Sequence, residues 1–470
     1  MNKRKLFLGG RNIFMGIALT SLLFIMNSCG SKQESAGKKD EKIRIITLDP
    51  GHFHAALLQK SMYNEIDSVV HVYAPDGTEL DNHMKLVDSY NTRSENPTAW
   101  KHEIYRGADY LDKMFSDKAG NVVIISGNNK LKTNYISRSI DSGLNVLADK
   151  PLAIDQDGFK SLEKAFTAAS EKNVLLYDIM TERFNIYYVL QRALSQDTTF
   201  FGVLEKGTPE QPAVEQRSVH HFYKNVSGKP LVRPAWFFDV EQEGRGLVDI
   251  TTHMVDLIQW ECFPDVTLDY KKDINMISAK EWSTELSLEQ FQKSTLKDKF
   301  PDYLTPYLKN GKLNVMSNGE MNYTIKGVHA RVGIQWNYEA PAGSGDTHFA
   351  IMRGTKANIL IKQGKEQSYK PVVYLEIVAK GTEADAKVKS AIAALQSNWP
   401  GVSYKKAAEE NLWELIIPEK YKVPHEEHFA EVVKNYLNYL KGGKLPEWEI
   451  PNMLSKYYTT TKAAEMAKAR

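Results

Sequence analysis

Cysteine is scarce in this chain, which has only two among 470 residues, Cys29 and Cys262. At most one disulfide could join them, so a fold held together by several disulfides is excluded. An excess of charge is also missing, because 60 basic residues face 58 acidic ones and no long basic run occurs. This balance argues against a nucleic-acid partner, and we predict none.

Glycine is missing where a nucleotide-binding loop would need it. The segment from Ile43 to Lys60 has the pattern of a strand, a turn and a helix, but Gly51 is its only glycine. A phosphate-binding loop of this kind normally carries G-x-G-x-x-G, because the backbone must turn tightly and approach the phosphates without a Cβ. The loop is therefore altered, and two registers are open for it.

In one register Asp49 takes the first glycine position and Gly51 takes the second. In the other register Gly51 is the third glycine, and Ile46 and Leu48 replace the first two. Both registers keep Pro50 and Gly51 at the turn, and the helix that follows offers its first N–H groups to a phosphate. The predicted loop comprises Asp49, Pro50, Gly51, His52 and Phe53.

The longest apolar run lies at the N-terminus. Basic residues precede the stretch from Ile13 to Met26, which is shorter than a comfortable membrane span and is typical of a secretory signal. It ends at MNSCG, where Cys29 follows a small serine and precedes a polar stretch, and this arrangement resembles the lipobox of bacterial lipoproteins. The resemblance implies a signal peptide over residues 1–29, lipidation of Cys29 and a polar tether over residues 30–41. An uncleaved anchor or an incidental cysteine is the alternative.

The expected location is therefore extracytoplasmic, with a lipid anchor holding the protein at the periplasmic or surface face of a bacterial membrane. With Cys29 acylated, Cys262 has no partner and is expected to be a buried apolar side chain.

After the tether, strands and helices alternate along the chain. Apolar, β-rich runs at Ile43–Leu48, Ser68–Tyr73 and Asn121–Gly127 alternate with helical patterns such as His54–Tyr63. The run at Asn121–Gly127 has an uninterrupted apolar centre, as expected for a strand buried on both faces of a parallel sheet. The alternation predicts an α/β fold built on a doubly wound parallel sheet.

The segment GLNVLADKPLAI, Gly143 to Ile154, resembles the strand and turn that carry the Glu-Lys-Pro signature of the Gfo/Idh/MocA oxidoreductases. Asp149 stands where the family has Glu, and Lys150 matches the family lysine. An Asp-Lys-Pro tripeptide is also an ordinary turn, so its context matters. That context is the upstream strand VVIISGNN and the downstream segment YDIMTERFN, which resembles the family's crossover into its second domain.

A second family feature is GRGLVDITTHMVDLIQW, Gly244 to Trp260, which resembles a glycine-rich entry into a helix bearing D-x-x-x-H-x-x-D. Helical spacing places Asp249, His253 and Asp256 on one face, so the two carboxylates are expected to flank the imidazole. Spacing alone favours a structural histidine, and a divalent metal held by one imidazole and two carboxylates is a third interpretation. Taken together with Lys150, the pattern favours catalysis, and no metal is assigned.

The resemblance implies a Rossmann-type domain over residues 42–178 and an α+β substrate domain with an open antiparallel sheet over residues 179–424. Residues 271–320 are charged and lack a strand pattern, so we interpret them as an insertion. Apolar residues at helical spacing near the end predict that residues 425–470 pack back across the domains.

The chemistry implied by the resemblance is hydride transfer from a carbinol carbon to nicotinamide. The hydroxyl must lose its proton as the C=O bond forms, which requires a base within hydrogen-bond reach. His253 suits that role, Asp249 would orient the ring or bind substrate hydroxyls, and Lys150 would stabilise the developing alkoxide.

The expected cofactor is NAD or NADP, tightly bound because free dinucleotide is not expected outside the cytoplasm. Its predicted contacts are Asp49, Pro50, Gly51, His52, Phe53, Asp76, Gly127, Asn128, Asn129, Asp149 and Lys150. The predicted substrate contacts are Arg183, His220, His221, Trp236, Asp249 and His253. Core packing explains each aromatic residue equally well, and an ordinary salt bridge would explain Arg183.

These expectations combine into an NAD-dependent oxidoreductase that forms or reduces a keto-sugar from a sugar or glycoside during extracytoplasmic glycan breakdown. Two alternatives stay open at this point. One is an NAD-dependent glycoside hydrolase that uses transient oxidation and elimination, and the other is a non-catalytic sugar-binding lipoprotein on the same fold. The partners expected are the sugar, the membrane reached through the anchor, and a second copy of the chain in a homo-oligomer.

Overall fold

The computed structural model describes residues 42–226, 229–378 and 383–469. The predicted leader over residues 1–29, with Cys29, and the tether over residues 30–41 lie outside the described residues. Within the described ranges, no helix combines the length and the apolar character needed to cross a bilayer.

The first domain is built on a sheet of six parallel strands in the order β3-β2-β1-β4-β5-β6. Its strands are β1 Ile45–Leu48, β2 Val69–Ala74, β3 Lys101–Arg106, β4 Val122–Ile125, β5 Asn145–Asp149 and β6 Leu176–Ile179. Every residue of β1, β4 and β6 is buried, because helices cover both faces of the sheet. The predicted Rossmann-type doubly wound sheet is confirmed.

The helices of this domain are α1 His54–Leu57, α2 Thr78–Thr92, α3 Tyr110–Asp117, α4 Asn129–Asp141 and α5 Gln156–Lys172. The first helix is much shorter than the predicted His54–Tyr63. It ends after a single turn and continues as a 3-10 turn from Leu58 to Lys60.

The second domain is built on a larger sheet in the order β10-β12-β13-β7-β14-β15-β16-β18-β17, with β11 paired to β12. The strands that follow β6 are β7 Val214–Tyr223, β8 Asn225–Val226, β9 Lys229–Pro230, β10 Ile274–Leu286, β11 Leu308–Lys309, β12 Lys312–Ile325, β13 Val328–Glu339, β14 Thr347–Arg353, β15 Ala357–Gln363, β16 Val372–Ile377, β17 Ser403–Lys406 and β18 Leu412–Ile416. The sheet is antiparallel except where β13 runs parallel to β7. It is therefore mixed at this one pair of strands, and the predicted open antiparallel sheet is otherwise confirmed.

The remaining helices are α6 Ile186–Ser195, α7 Thr251–Cys262, α8 Tyr270–Asp273, α9 Leu288–Thr295, α10 Ala384–Leu395, α11 His425–Leu440 and α12 Glu449–Lys468. Helix α11 packs on the core of the first domain through Phe429, Val432, Val433, Tyr436 and Leu437. Helix α12 contributes Tyr457 to that core and Ala463 to the core of the second domain.

Residues 271–320 were expected to lack strands, and this expectation is wrong. Strand β10 runs through the segment and pairs with β12 along the edge of the large sheet. Its register shifts twice, between Met276 and Ser278 and between Trp282 and Thr284. Each bulge breaks the alternation of apolar and polar residues, and the exposed edge tolerates charged side chains. The strand therefore has no clean period of two in the sequence.

Candidate active site

Lys150 and Asp249 form the centre of the candidate site. Lys150 follows the last residue of β5, and its Nζ donates to Asp249 Oδ1 at 2.5 Å, with both side chains only 10% exposed. Burial opposes the charge of each group, but the attraction within the pair raises the pKa of Lys150 and lowers the pKa of Asp249. The pair is thus an ammonium and a carboxylate at neutral pH.

His253 lies in the first turn of α7 and belongs to the same cleft. Its Nδ1 is buried and has no hydrogen-bond partner among the described residues. Burial, reinforced by the positive charge of Lys150, lowers the pKa of His253 to about 4. At neutral pH the imidazole is therefore uncharged and able to accept a proton.

The two carboxylates do not flank this imidazole, contrary to the expectation from helical spacing. Asp249 precedes α7, which begins at Thr251, so it does not share a regular helical face with His253. Asp256 is inside the helix but accepts hydrogen bonds from Arg183 and Lys456 at 2.7 and 2.8 Å. Its charge is neutralised away from the cleft.

Arg183 was predicted to bind substrate, but in the structure it is paired with two carboxylates. The guanidinium is only 10% exposed, and it binds Asp256 at 2.7 Å and Glu449 at 2.7 Å. Both contacts use the fork of donors that arginine presents to carboxylates. Arg183 therefore joins the crossover between the domains to α7 and α12.

Other predicted substrate residues lie on the large sheet. Asp346 receives His221 Nδ1 at 2.8 Å and faces His220 Nδ1 at 3.4 Å. The ring of His220 lies 5.2 Å from that of Trp336, and His220 is also close enough to Asp249 to interact with it electrostatically. His220 thus faces the cleft, whereas His221 is buried.

Trp236 reaches the first domain. A Cβ placed on Gly51 would lie 3.2 Å from Trp236 Cζ2, so the indole lies against the loop between β1 and α1. A side chain at position 51 would have to displace the indole by a few tenths of an ångström. The contact brings a predicted substrate residue next to the predicted cofactor loop.

The shortened loop packs directly on the turn after β4. A Cβ on Gly127 would lie 2.3 Å from the Asp49 carbonyl oxygen, which leaves no room for a side chain there. The amides of Gly51 and His52 both donate to the Ser126 carbonyl at 3.1 Å. Asp49 adopts a positive φ of 44° at the turn, and its carboxylate accepts the Tyr135 hydroxyl at 2.8 Å.

Asn128 and Asn129 connect the two domains. Asn128 caps α4 and donates to Gln242 at 2.7 Å, and Asn129 donates to the Glu243 carbonyl at 2.8 Å. Their side-chain amides are therefore engaged with the segment before Asp249.

Asp149 is surrounded by donors. Its carboxylate lies 2.9 Å from His52 Nδ1 and 3.0 Å from both His54 Nδ1 and Ser126 Oγ. These contacts hold the pKa of Asp149 well below its usual range even though burial opposes its charge.

The sequence matches two family descriptions that together span most of the described chain. Residues 51–178 match the "Oxidoreductase family, NAD-binding Rossmann fold", the GFO/IDH/MocA group, and residues 190–468 match the "Putative oxidoreductase C terminal domain". The chain belongs to the Gfo/Idh/MocA oxidoreductases. The predicted family and the predicted class of enzyme, an NAD(P)-dependent oxidoreductase, are thereby confirmed.

Solved structures agree with this family. A "putative oxidoreductase" from Parabacteroides merdae ATCC 43184 is 50% identical, with a TM-score of 0.89 over 91% of this chain and 98% of that one. Levoglucosan dehydrogenase in complex with NADH is 12% identical, with a TM-score of 0.57 over 91% and 98% of the two chains. A 3-ketoreductase from Actinomadura kijaniata, with NADP and TDP-benzene, is 13% identical, with a TM-score of 0.53 over 89% and 96%. A search of curated proteins found no significant match.

The residues of this Gfo/Idh/MocA chain fit a dinucleotide at both ends of the groove. Asp76 follows β2 at the carboxyl edge of the sheet, with its carboxylate 79% exposed and 2.9 Å from Arg106, where an acid can bind a ribose hydroxyl. Lys150 follows β5, on the opposite side of β1 from Asp76. Between them the loop differs from a glycine-rich one, because the amides of Gly51 and His52 are already bonded. Phe53, which is 42% exposed, and the side chain of His52 border this part of the groove.

Several residues of the site were not predicted. His54 and Ser126 bind Asp149, while Lys132 and Glu243 lie buried close to Lys150, and burial lowers the pKa of Lys132 to about 8. The pattern His-x-His at positions 52 and 54 was a usable signal, because it places two ligand-type side chains at one strand end. Nothing local indicates the role of a buried lysine in α4.

Proposed function

We propose that this oxidoreductase moves a hydride between NAD(P) and a hydroxyl-bearing carbon of a sugar or glycoside, forming or reducing a keto-sugar. The observation that carries the proposal is the pairing of Lys150 with Asp249 beside a neutral His253. Lys150 follows the carboxyl end of β5, and ligands bind at this edge in open α/β sheets.

The roles follow from the charge state of each group. NAD(P), when bound, accepts the hydride during oxidation. The hydroxyl proton passes to the neutral imidazole of His253, and the ammonium of Lys150 donates a hydrogen bond to the oxygen as the C=O bond forms. Asp249 keeps Lys150 protonated, since its negative charge raises the pKa of the amine. Reduction of a keto-sugar uses the same groups in reverse.

A sugar is the substrate class that the second domain supports best. His220 and Trp236 are partly exposed aromatic side chains of the second domain, and Asp346 supplies a carboxylate that contacts His220 and His221. Ring faces suit the C–H surfaces of a sugar, and carboxylates suit its hydroxyls. The structural neighbours that are a levoglucosan dehydrogenase and a 3-ketoreductase are consistent with this class.

We place this activity outside the cytoplasm, in glycan breakdown, with the protein held at a membrane by a lipid on Cys29. The support is the sequence alone, namely the apolar run that ends in the lipobox-like MNSCG. Metabolic labelling with an alkyne fatty acid tests it, because wild type should incorporate label and Cys29→Ala should not. Label in neither protein would remove the anchor from the proposal.

The decisive experiment combines two measurements on purified protein. Denaturation should release NAD or NADP, which mass spectrometry would detect. Incubation of the native protein with aryl glycosides should give a keto-glycoside. Free phenol without an external hydride acceptor would instead establish the hydrolase that uses transient oxidation. Protein that carries no dinucleotide and binds none when it is added would be a sugar-binding lipoprotein, and the redox proposal would fall.

A further inference from the structure

Three metal-binding side chains converge on one point at the carboxyl edge of the parallel sheet. His52 and His54 come from the loop and helix after β1, and Asp149 is the last residue of β5. The Nδ1 atoms of the two histidines lie 2.9 and 3.0 Å from Asp149 Oδ2, and all three ligand atoms fall within 4.8 Å of one another. These distances match the spacing between donors around a small cation.

The donor set and its burial suit a metal of the zinc class. Two imidazole nitrogens and one carboxylate are the ligands found in catalytic zinc sites, which leave a further position open. The side chains of His54 and Asp149 are 6% and 4% exposed, whereas His52 is 36% exposed. The site is therefore anchored in the protein interior and open toward solvent on the side of His52.

The surroundings of His54 are those of a metal ligand. Its Nε2 lies 3.0 Å from His425 Nε2, and His425 Nδ1 lies 3.8 Å from Glu182 Oε1. Histidines that bind metals typically donate their second N–H to such a partner, which fixes the ring and its tautomer.

We propose that His52, His54 and Asp149 bind one divalent transition-metal ion of the zinc class, with His425 and Glu182 orienting His54. The site is distinct from the pairing of Lys150 with Asp249 and does not depend on the proposed reaction. Binding joins the loop after β1 to the end of β5, and so rigidifies the region that borders the dinucleotide groove.

Metal binding should be measured on the untagged full chain, loaded with zinc and then dialysed. Elemental analysis should find about one equivalent of zinc in wild type. Cobalt titration should give visible absorption bands typical of a low-symmetry site. His71→Ala is the matched control, because His71 pairs with Glu103 at 3.2 Å on the same sheet and lies outside the cluster. It should bind as wild type does.

The variants assign the site. His52→Ala should lose the cobalt bands, and His425→Ala should retain binding with an affinity weakened about 10–100-fold. His52 is the primary test because its partly exposed side chain can be removed with the least damage to the fold, which circular dichroism would verify. Wild type that holds neither zinc nor cobalt would overturn the proposal. Unchanged binding by His52→Ala would overturn it as well.

Discussion

Asp249 and Asp256 stand near the start and in the middle of one helical segment, yet each carboxylate is paired with a different cation. Asp249 accepts from Lys150 in the cleft, whereas Asp256 accepts from Arg183 and Lys456 behind it. Two aspartates that look equivalent in the sequence therefore have different partners and different structural roles. The first raises the pKa of the Lys150 amine, and the second joins α7 to Arg183 and to α12.

Removal of Lys150 or His253 should impair the chemical step. Lys150→Ala and His253→Ala should each lower kcat by at least about 100-fold, the lower range for losing acid-base assistance or an oxyanion donor. Steady-state kinetics on a glycoside substrate would measure this. Lys164→Ala, at an exposed position on α5, is the control and should turn over at the wild-type rate. Wild-type rates in both site variants would remove these residues from the mechanism.

Asp249→Asn should change the pH profile as well as the rate. Asp249 raises the pKa of Lys150 against the effect of burial, so loss of its charge lets that pKa fall. The alkaline limb of kcat/KM, which reports ionisations of the free enzyme, should then move to lower pH. An alkaline limb at its wild-type position would show that Lys150 does not need its proton.

Lys456→Ala should destabilise the protein strongly. The side chain is fully buried and binds Asp178 at 2.6 Å and Asp256 at 2.8 Å. Its removal leaves carboxylates short of a counter-ion in the interior, which costs about 3–5 kcal/mol. Urea denaturation would measure the loss. Lys444→Ala breaks an exposed pair with Glu447 and should change the free energy of unfolding by less than about 1 kcal/mol. Similar losses in the two variants would contradict the assignment.

His83→Leu should stabilise the protein, and more so in acid. Both ring nitrogens of His83 are buried with no hydrogen-bond partner among the described residues, and burial lowers its pKa to about 3. At pH 7 the replacement should raise the free energy of unfolding by about 1 kcal/mol, because an unsatisfied polar group is removed.

The pH dependence of this effect has a definite sign. In the unfolded chain His83 binds a proton below its ordinary pKa of 6.5, whereas in the folded protein its pKa is about 3. Wild type therefore loses stability as the pH falls from 6.5 toward 3. His83→Leu lacks this loss and should gain about 2 kcal/mol more at pH 5. Denaturation curves at the two pH values provide the test, and an equal gain at both would contradict the folded-state pKa.

The parallel sheet could be predicted from the sequence because its signals are local. Runs such as Ile43–Leu48 and Asn121–Gly127 are apolar throughout, and that property alone indicates burial on both faces. Lys150 and Asp249 are 99 residues apart, and only the family resemblance suggested that they meet. Their assignment as site residues remains a prediction until the variants are measured.

The parts that could not be predicted depend on contacts between distant segments. In the sequence Arg183 could equally be a surface or a substrate-binding arginine, because its partner Glu449 lies far away, in α12. Likewise, His54 contacts His425, which is 371 positions away. Helical spacing also misjudged Asp249, because it cannot say where a helix begins. Strand β10 was missed since two bulges remove the alternation on which strand prediction depends.

The contribution of α12 to both cores affects the order in which the chain can fold. Tyr457 is fully buried in the first domain and donates to Asp178 at 2.7 Å, although the two residues are separated by 279 positions. Until the final helix emerges from the ribosome, the dinucleotide domain exposes apolar surface that nothing upstream can cover. A fragment that ends at residue 178 lacks this cover and should be less soluble than the full chain.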